Sequence, residues 1–209
     1  MKLFLLMNVI HCSRSGRGYH IIMEIFVKKR IKAIKKGDQN AYADIVDLYK
    51  DKIYRLCYRM LGNRHEAEDT AQEAFIRAYV NIHTYNPNMK FSSWLYRIAT
   101  NLAIDKIRKK KPDAYLDEEI SGTDGLTMYS QLSSNEASPE EKVESLELQE
   151  TVQKAIEKLP EKYRSVIVLK YIEDLSLQEI SEILDLPLGT VKTRIHRGRE
   201  ALRKHLGHL

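Results

Sequence analysis

Apolar residues recur at helical spacing along most of the chain, and no segment alternates at the two-residue period of a strand. Capping and helix-breaking residues divide this pattern, with Gly37-Asp38, Gly62-Asn63 and Pro160 at three of the divisions. The apolar pattern between Ala41 and Leu61 is long and uninterrupted, which predicts a core helix. The pattern as a whole therefore predicts an all-α fold.

The segment 175–204 combines a helix start, a turn signal and a two-faced helix. Ser176 and Glu179 form a capping box, in which each side chain satisfies a backbone N–H group at the start of a helix. Pro187 interrupts the apolar run and suits the first turn of a second helix. We therefore predict two short helices joined by a tight turn. In the second helix we expect an inward stripe of apolar or small residues, namely Val191, Ile195, Gly198 and Leu202.

The other face of this second helix is basic. Between Pro187 and His205 the chain has six Lys or Arg residues against one acidic residue. A helix N-terminus also attracts phosphate, and polar side chains can read base edges. The pattern indicates a helix-turn-helix with its second helix in a major groove, although a merely solvated basic face is the alternative. The residues on the free face are Lys192, Thr193, His196 and Arg197.

Composition adds few constraints to this picture. The chain has 209 residues, enough for two small domains, with 34 basic and 29 acidic residues. Cys12 and Cys57 are far apart and lack neighbours at metal-ligand spacing, so neither a disulfide framework nor a zinc site is expected. Cys57 lies in an apolar helical pattern and is expected to be a buried thiol, which fits a reducing cytoplasm.

Residues 1–22 do not fit the helical pattern that follows. The apolar run after Lys2 resembles the start of a signal peptide, but it has no cleavage site and is far shorter than the roughly twenty residues of a membrane span. We interpret residues 1–22 as a dispensable extension before Met23. A short lysine-rich helix is predicted from Glu24 to Lys36, and its basic face is either solvated or bound to a nucleic acid or an acidic partner.

A further helix is predicted from His65 to about His83. The acidic residues of its first turn are explained by the helix dipole, and no second His stands at metal-ligand spacing. Its later part has a polar face larger than solubility requires, which indicates a docking surface. That face consists of Asp69, Gln72, Glu73 and Arg77, beside Phe75, Ile76 and Tyr79.

The segment from Phe91 to Pro112 combines aromatic rings with positive charge. Ser92 is expected to cap its helix. Rings that stack on bases and cations that hold the backbone are what a single-stranded nucleic acid requires. Core packing of the rings is the alternative for Phe91 and Trp94, but it does not account for the basic run. The rings are Tyr85, Phe91, Trp94 and Tyr96, and the cations are Arg97, Lys106, Arg108, Lys109, Lys110 and Lys111.

Residues 113–136 contain six acidic residues and no Lys or Arg. Such a composition predicts a flexible acidic linker. The helical pattern resumes at Ser138-Pro139, which is typical of a helix start. The sequence therefore predicts two small helical domains, at 23–112 and 139–209, joined by a linker at 113–138 and preceded by the extension at 1–22.

Four motifs occur in a fixed order around this linker: DTAQEAFIRAY, FSSWLYRIATNLAIDKIRKK, LPEKYRSVIVLKYIEDLSLQEI and PLGTVKTRIHRGREALRK. From Met23 to Leu209 the chain resembles the extracytoplasmic-function (group 4) sigma factors of bacterial RNA polymerase. The resemblance implies a sigma region 2 domain at 23–112 and a sigma region 4 domain at 139–209. These would bind polymerase core and recognise the minus-ten and minus-thirty-five promoter elements of a cell-envelope stress regulon.

The resemblance also implies site residues. Core polymerase would bind Asp69, Gln72, Glu73 and Phe75. Asn101 stands where the family recognises a flipped-out minus-ten base, with Tyr85 in the loop beneath it. The implied minus-ten set is Tyr85, Trp94, Arg97, Asn101, Asp105, Lys106, Arg108 and Lys109. The implied minus-thirty-five set, which would also read the shape of the DNA, is Thr190, Lys192, Thr193, Arg194, His196, Arg197 and Arg199.

The sequence has no phosphate-binding glycine loop, no nucleophile with its base and no metal cluster. We therefore predict no enzymatic activity, cofactor, metal or small-molecule substrate. By resemblance, the expected partners are RNA polymerase core, promoter DNA and a membrane-anchored anti-sigma factor that sequesters this cytoplasmic protein. The alternatives are a helix-turn-helix activator that is not a sigma subunit, and an RNA-binding adaptor or enzyme that uses Trp94.

Overall fold

The computed structural model describes residues 17–110 and 139–207, with side chains described for 22–110 and 148–207. Every regular element in these ranges is helical, as the hydrophobic pattern predicts. The acidic linker predicted at 113–138 lies outside the described residues. The elements are α1 (Arg17–Ile34), α2 (Asn40–Leu61), α3 (Arg64–Val80), a 3-10 turn (Ile82–Thr84), α4 (Phe91–Lys110), α5 (Pro139–Glu157), α6 (Glu161–Ile167), a π-helical segment (Val168–Ile172), α7 (Leu177–Leu184) and α8 (Leu188–Leu206).

Helix α2 is the centre of the first unit, which comprises α1 to α4. It packs against the three other helices of this unit, and its inward residues, including Ile45, Ile53 and Leu56, are fully buried. The Asp38 carboxylate accepts hydrogen bonds from the first backbone N–H groups of α2 and so caps the helix. Gly62 ends α2 with a φ of 72°, a conformation that favours glycine.

Three helix boundaries differ from the sequence-based predictions. Helix α1 begins at Arg17, inside the segment that we interpret as an extension. Helix α3 ends at Val80, because the Asn81 side chain donates a hydrogen bond to the Arg77 carbonyl and a 3-10 turn follows. The expected cap at Ser92 is wrong. Helix α4 begins at Phe91, and the first carbonyl to accept a helical hydrogen bond belongs to Lys90.

The second unit comprises α5 to α8, and three of these helices, α5, α6 and α8, begin at or directly after prolines where the sequence indicates helix starts. Pro139 is the first residue of α5, and Pro160 directly precedes α6. Helix α6 continues into the π-helical segment, a form that is rare and often occurs at functional positions. Asp174 then reverses the chain with a φ of 49°, which positions the start of α7.

The two units pack against each other, an arrangement that the hydrophobic pattern does not predict. Their buried apolar residues form one continuous cluster that extends from Val27 in α1 to Ile195 in α8. Arg164 of α6 is only 5% exposed and lies at the boundary between the units. Its guanidinium donates to the Met60 carbonyl at 2.7 Å, and to the Leu159 and Glu157 carbonyls. One side chain therefore satisfies carbonyls at the ends of both α2 and α5.

Gln153 of α5 makes a second polar connection beside Arg164. Its amide nitrogen donates to the backbone carbonyls of Tyr58 and Arg59, and its oxygen accepts from the Arg59 guanidinium at 3.0 Å. The approach at Gly62 is equally close, since a Cβ atom there would lie 2.1 Å from a carboxylate oxygen of Glu157. The C-terminal end of α2 is thus enclosed by the second unit.

Replacement of Arg164 by methionine tests this junction. Arg164→Met keeps much of the side-chain volume but leaves buried carbonyls without donors, so it should lower the free energy of unfolding by about 2–4 kcal/mol. Urea denaturation followed by circular dichroism measures this loss. The matched control is Arg203→Met on α8, where the side chain is 69% exposed and the cost should stay within about 0.5 kcal/mol. Similar small losses for both variants would contradict the assigned role of Arg164.

Candidate nucleic-acid interface

The helix-turn-helix begins with the capping box that the sequence predicts. The backbone N–H of Glu179 donates to the Ser176 hydroxyl at 3.2 Å, and the Ser176 N–H donates to the Glu179 carboxylate at 3.0 Å. Burial raises the pKa of Glu179, but hydrogen bonds from Lys90 and Ser176 outweigh it and hold the pKa below its usual value. Glu179 therefore both starts α7 and carries a negative charge toward the first unit.

The turn between α7 and α8 is fixed by the backbone conformation of Asp185 and by the side chain of Ser181. Asp185 ends α7 in the left-handed conformation with a φ of 55°. The Ser181 hydroxyl donates to the Leu186 carbonyl at 2.5 Å, while the Leu186 N–H donates back to the Ser181 carbonyl at 3.1 Å. Pro187 then precedes the first residue of α8, as predicted.

Helix α8 has one packed face and one exposed face. Val191, Ile195 and Gly198 are buried as predicted, and Ala201 joins them without having been predicted. Gly198 permits close packing on α6, since a Cβ atom at this position would lie 2.8 Å from Ile167. Thr190 and Arg194 are half-buried. The exposed side chains of the predicted minus-thirty-five set are Lys192, Thr193, His196, Arg197 and Arg199.

Aromatic rings cluster at the start of α4. The Tyr85 ring lies 5.4 Å from both the Phe91 and the Trp94 ring, and Phe91 and Trp94 are 5.6 Å apart. Phe91 and Tyr85 are buried at 4% and 3% exposure, whereas Trp94 is half-buried. The Tyr85 hydroxyl donates to the Met89 carbonyl at 2.6 Å, which fixes the loop before α4. Core packing thus explains Phe91, and Trp94 is the ring with a partly open surface.

Residues of the predicted minus-ten set occupy different faces of α4. Arg97, Asn101 and Asp105 follow one another at four-residue spacing and share a face, on which Asn101 and Asp105 are exposed. Asn101 makes no side-chain hydrogen bond within the part of the chain that the structure describes. Lys106 points elsewhere and donates to the hydroxyl of Thr70 at 3.2 Å. The remaining members, Arg108 and Lys109, are exposed near the end of the helix.

Helix α7 and its flanking residues lie along the first half of α4. The Glu179 carboxylate accepts from Lys90 at 2.8 Å, and Asp185 accepts from Arg97 at 3.2 Å. Farther in, the Tyr96 hydroxyl donates to Glu173 at 2.6 Å. Burial and the neighbouring Glu173 carboxylate raise the pKa of Tyr96, so this hydroxyl remains a donor. Arg108 also pairs with Glu161 at 3.4 Å, so carboxylates of the second unit occupy two cations, Arg97 and Arg108, that the sequence assigns to nucleic acid.

The predicted docking face on α3 is partly exposed. Asp69 and Gln72 are exposed, and Glu73 accepts a hydrogen bond from Arg77 at 2.7 Å. Phe75 is buried at 8% exposure, so its side chain lies behind this face rather than on it. The exposed apolar residues beside the polar ones are Ile76, Tyr79 and Val80. Of these, Val80 was not predicted to belong to the face.

Two other sequence-based expectations concern chemistry and membranes. Burial raises the pKa of the Cys57 thiol to about 12, which keeps it protonated and confirms the predicted buried thiol. Within the described ranges, no three His, Cys, Asp or Glu side chains are grouped in a way that could hold a metal ion. Among the helices described here, none is long and apolar enough to cross a membrane.

Comparisons with known proteins match a family to each of the two helical units. The family Sigma-70 region 2 matches residues 45–112, which contain the docking face and the aromatic cluster. The family Sigma-70, region 4 matches residues 149–202, which contain the helix-turn-helix. The ECF RNA polymerase sigma factor SigW of Bacillus subtilis is 72% identical over 187 residues, which cover 90% of this chain and 100% of that protein.

Two solved structures share the fold. CnrH in complex with the cytosolic domain of CnrY gives a TM-score of 0.62 at 22% identity, covering 88% of this chain and 97% of that one. The sigma factor RpoE in complex with the anti-sigma factor NepR from Bartonella quintana gives 0.57 at 19% identity, covering 79% and 96%. With both sigma-70 regions present and a 72% identical relative covered over its whole length, the chain belongs to the extracytoplasmic-function sigma factors of RNA polymerase.

Proposed function

We propose that this sigma factor brings RNA polymerase core to the promoters of a cell-envelope stress regulon by reading two promoter elements with two separate surfaces. The observation that carries the proposal is that α8 has an exposed basic face, and that α4 has an exposed polar face together with an aromatic cluster at its start. The polymerase supplies the chemistry of transcription, and this chain supplies recognition and no catalysis of its own.

The minus-thirty-five element is assigned to α8. Its exposed residues Lys192, Thr193 and Arg197 share the face opposite the buried stripe, so they can enter a major groove while the stripe holds the helix. Arg197 is suited to guanine, because a guanidinium can donate to both acceptors on the guanine edge. The half-buried Thr190 and Arg194 lie beside this face and suit contacts with the DNA backbone.

The minus-ten element is assigned to the start of α4 and the loop before it. An exposed amide at Asn101 can pair with the edge of an unpaired base, and Trp94 offers a partly open ring on the same helix. Tyr85 supports this pocket from below, since its ring contacts Trp94 and its hydroxyl is held by the backbone. Arg97, Arg108 and Lys109 would neutralise the strand's phosphates.

The same proposal includes regulation. The solved structure of RpoE contains the anti-sigma factor NepR, and CnrH is bound to a cytosolic domain of CnrY. By analogy, a membrane-anchored anti-sigma factor would hold this chain inactive in the cytoplasm and thereby sequester it at the membrane indirectly. Within the described part of this chain no helix suits a membrane span, which agrees with an anchor supplied by the partner.

Binding to purified polymerase core tests the function through the face on α3. Glu73→Lys should weaken core binding at least tenfold and reduce promoter-specific run-off transcription, because it reverses a charge in the middle of the docking face. Thermal unfolding should change little, since surface substitutions cost within about 0.5 kcal/mol.

The matched control is Glu150→Lys, which makes the same charge change on α5, where the exposed Glu150 carboxylate pairs with a cation four residues on, as that of Glu73 does. It should leave core affinity close to that of the unaltered chain. If neither the unaltered chain nor the control variant bound core or initiated transcription at a specific start site, the chain would act as a helix-turn-helix activator instead. Equal losses for both variants would instead exclude Glu73 from the docking face.

Asn101→Ala tests recognition of the unpaired base. Because the amide is exposed and makes no side-chain hydrogen bond within the described residues, its removal should leave the fold unchanged and abolish discrimination at one minus-ten position. Permanganate footprinting of holoenzyme on promoters with each base at that position measures the effect. Normal opening with unchanged base preference would exclude Asn101 from this role.

Two arginines of α8 separate base reading from phosphate binding. Arg197→Ala should cost about 1–3 kcal/mol on the cognate minus-thirty-five duplex and relax its sequence preference. Arg199 lies farther round the helix, so Arg199→Ala should weaken cognate and scrambled duplexes alike and reduce the salt dependence by about one ion. Titrations at several salt concentrations measure both effects. Identical profiles for the two variants would mean that α8 does not read sequence through Arg197.

A further inference from the structure

A cleft of about 440 Å³ lies between α1 and the loop before α4. Its rim carries four lysines, and its floor is formed by Ile31, Tyr85 and Pro87. We name this feature the lysine cleft. Lys28 and Lys32 are four residues apart on one face of α1, and Lys35 and Lys36 follow directly after this helix ends, so the four charges converge on a single surface. They are Lys28, Lys32, Lys35 and Lys36.

In the part of the chain that the structure describes, no carboxylate pairs with these lysines, whereas several other cations are paired. Arg30, on the same helix, pairs with Asp44 at 2.9 Å. Lys35 instead donates to the carbonyls of His83 and Tyr85, and its ammonium lies 5.9 Å from the centre of the Tyr85 ring. Within the described residues, no ion pair involves any lysine of the cleft. Four like charges around one cleft repel one another, and a bound anion would relieve that repulsion.

The position of the cleft identifies the anion. Tyr85 forms part of the cleft and also contacts Trp94 with ring centres 5.4 Å apart, so the cleft and the aromatic cluster share a wall. A strand whose base is held near Trp94 and Asn101 can therefore continue along this wall into the cleft. The apolar floor suits sugars and bases, and the lysine rim suits phosphates at regular spacing. An acidic peptide would match the rim but would need no continuity with the aromatic cluster.

We propose that the lysine cleft binds the phosphodiester backbone of single-stranded DNA where the strand leaves the minus-ten pocket. The proposal rests on the minus-ten role assigned to Tyr85, Trp94 and Asn101 above. It extends the DNA path onto α1. From the sequence, the basic face of this helix could be solvated or could bind either a nucleic acid or an acidic partner. We expect the cleft to bind strands of any sequence equally, because contacts with phosphates carry no sequence information.

The test uses polymerase holoenzyme and fluorescent single strands that carry the minus-ten element alone or with five additional nucleotides on either flank. The variant Lys28→Gln/Lys32→Gln removes two rim charges, and glutamine keeps the helix propensity. The control Lys50→Gln/Lys52→Gln removes two exposed lysines from the neighbouring helix α2 and has the same net charge.

We expect the cleft variant to bind one of the two extended strands about tenfold more weakly at low salt. The slope of log affinity against log salt concentration should be smaller in magnitude by about 1.4, because two charges are removed. Its affinity for the minus-ten element alone should equal that of the unaltered holoenzyme, and the control variant should match the unaltered protein on all strands. A polyglutamate peptide serves as an additional probe of the cleft.

Four outcomes would overturn the proposal. Equal affinities of the cleft variant and the control for every strand would show that the cleft does not contact DNA. Loss of polyglutamate binding without loss of strand binding would assign the cleft to an acidic protein. If the unaltered holoenzyme showed no preference for the minus-ten sequence in the short strand, the proposed function would fail together with this inference. A retained preference without any flank effect would reject the cleft alone.

Discussion

The buried guanidinium of Arg164 joins the two helical units at the place where α2 and α5 both end. The last carbonyls of a helix have no partners within it, and a buried carbonyl without a donor costs about 1–3 kcal/mol. Arg164 donates across the boundary to the Met60 carbonyl, and Gln153 donates to the Tyr58 and Arg59 carbonyls, so the units cannot shift without breaking several hydrogen bonds. Because α6 leads directly into the π-helical segment and α7, this junction also determines where the helix-turn-helix lies over α4.

The outer part of the contact between the units is much weaker. The Asp185 side chain is 82% exposed although it pairs with Arg97, and Lys90, which pairs with Glu179, is 55% exposed. Exposed pairs of this kind contribute about 0–1 kcal/mol and weaken with salt. Separation of the units would therefore be opposed mainly by the apolar cluster and by Arg164, not by the rim. A phosphate could replace either carboxylate at little cost, because each cation would keep a partner.

Features determined by neighbouring residues could be predicted from the sequence. The capping box at Ser176, the inward stripe of α8 and the buried thiol of Cys57 depend only on spacing within one helix. The contact between Arg164 and Met60 spans 104 positions and has no local signature. Phe75 shows the same limit within the site. Its place beside the polar face and in the implied docking set suggested exposure, but helical angle alone does not reveal that Phe75 joins the buried cluster.

The two proposed DNA-reading faces differ in whether their cations are already paired with carboxylates. Lys192 and Arg197 of α8 are exposed and make no ion pair within the described residues, so this face can meet DNA with the units packed together. Arg97 on α4 is paired with a carboxylate of the second unit, and α7 lies along its helix. If the elements are read as proposed, minus-thirty-five binding requires no rearrangement. Minus-ten binding requires α7 to leave α4, whereas Asn101, Asp105 and Lys109 are already exposed before that step.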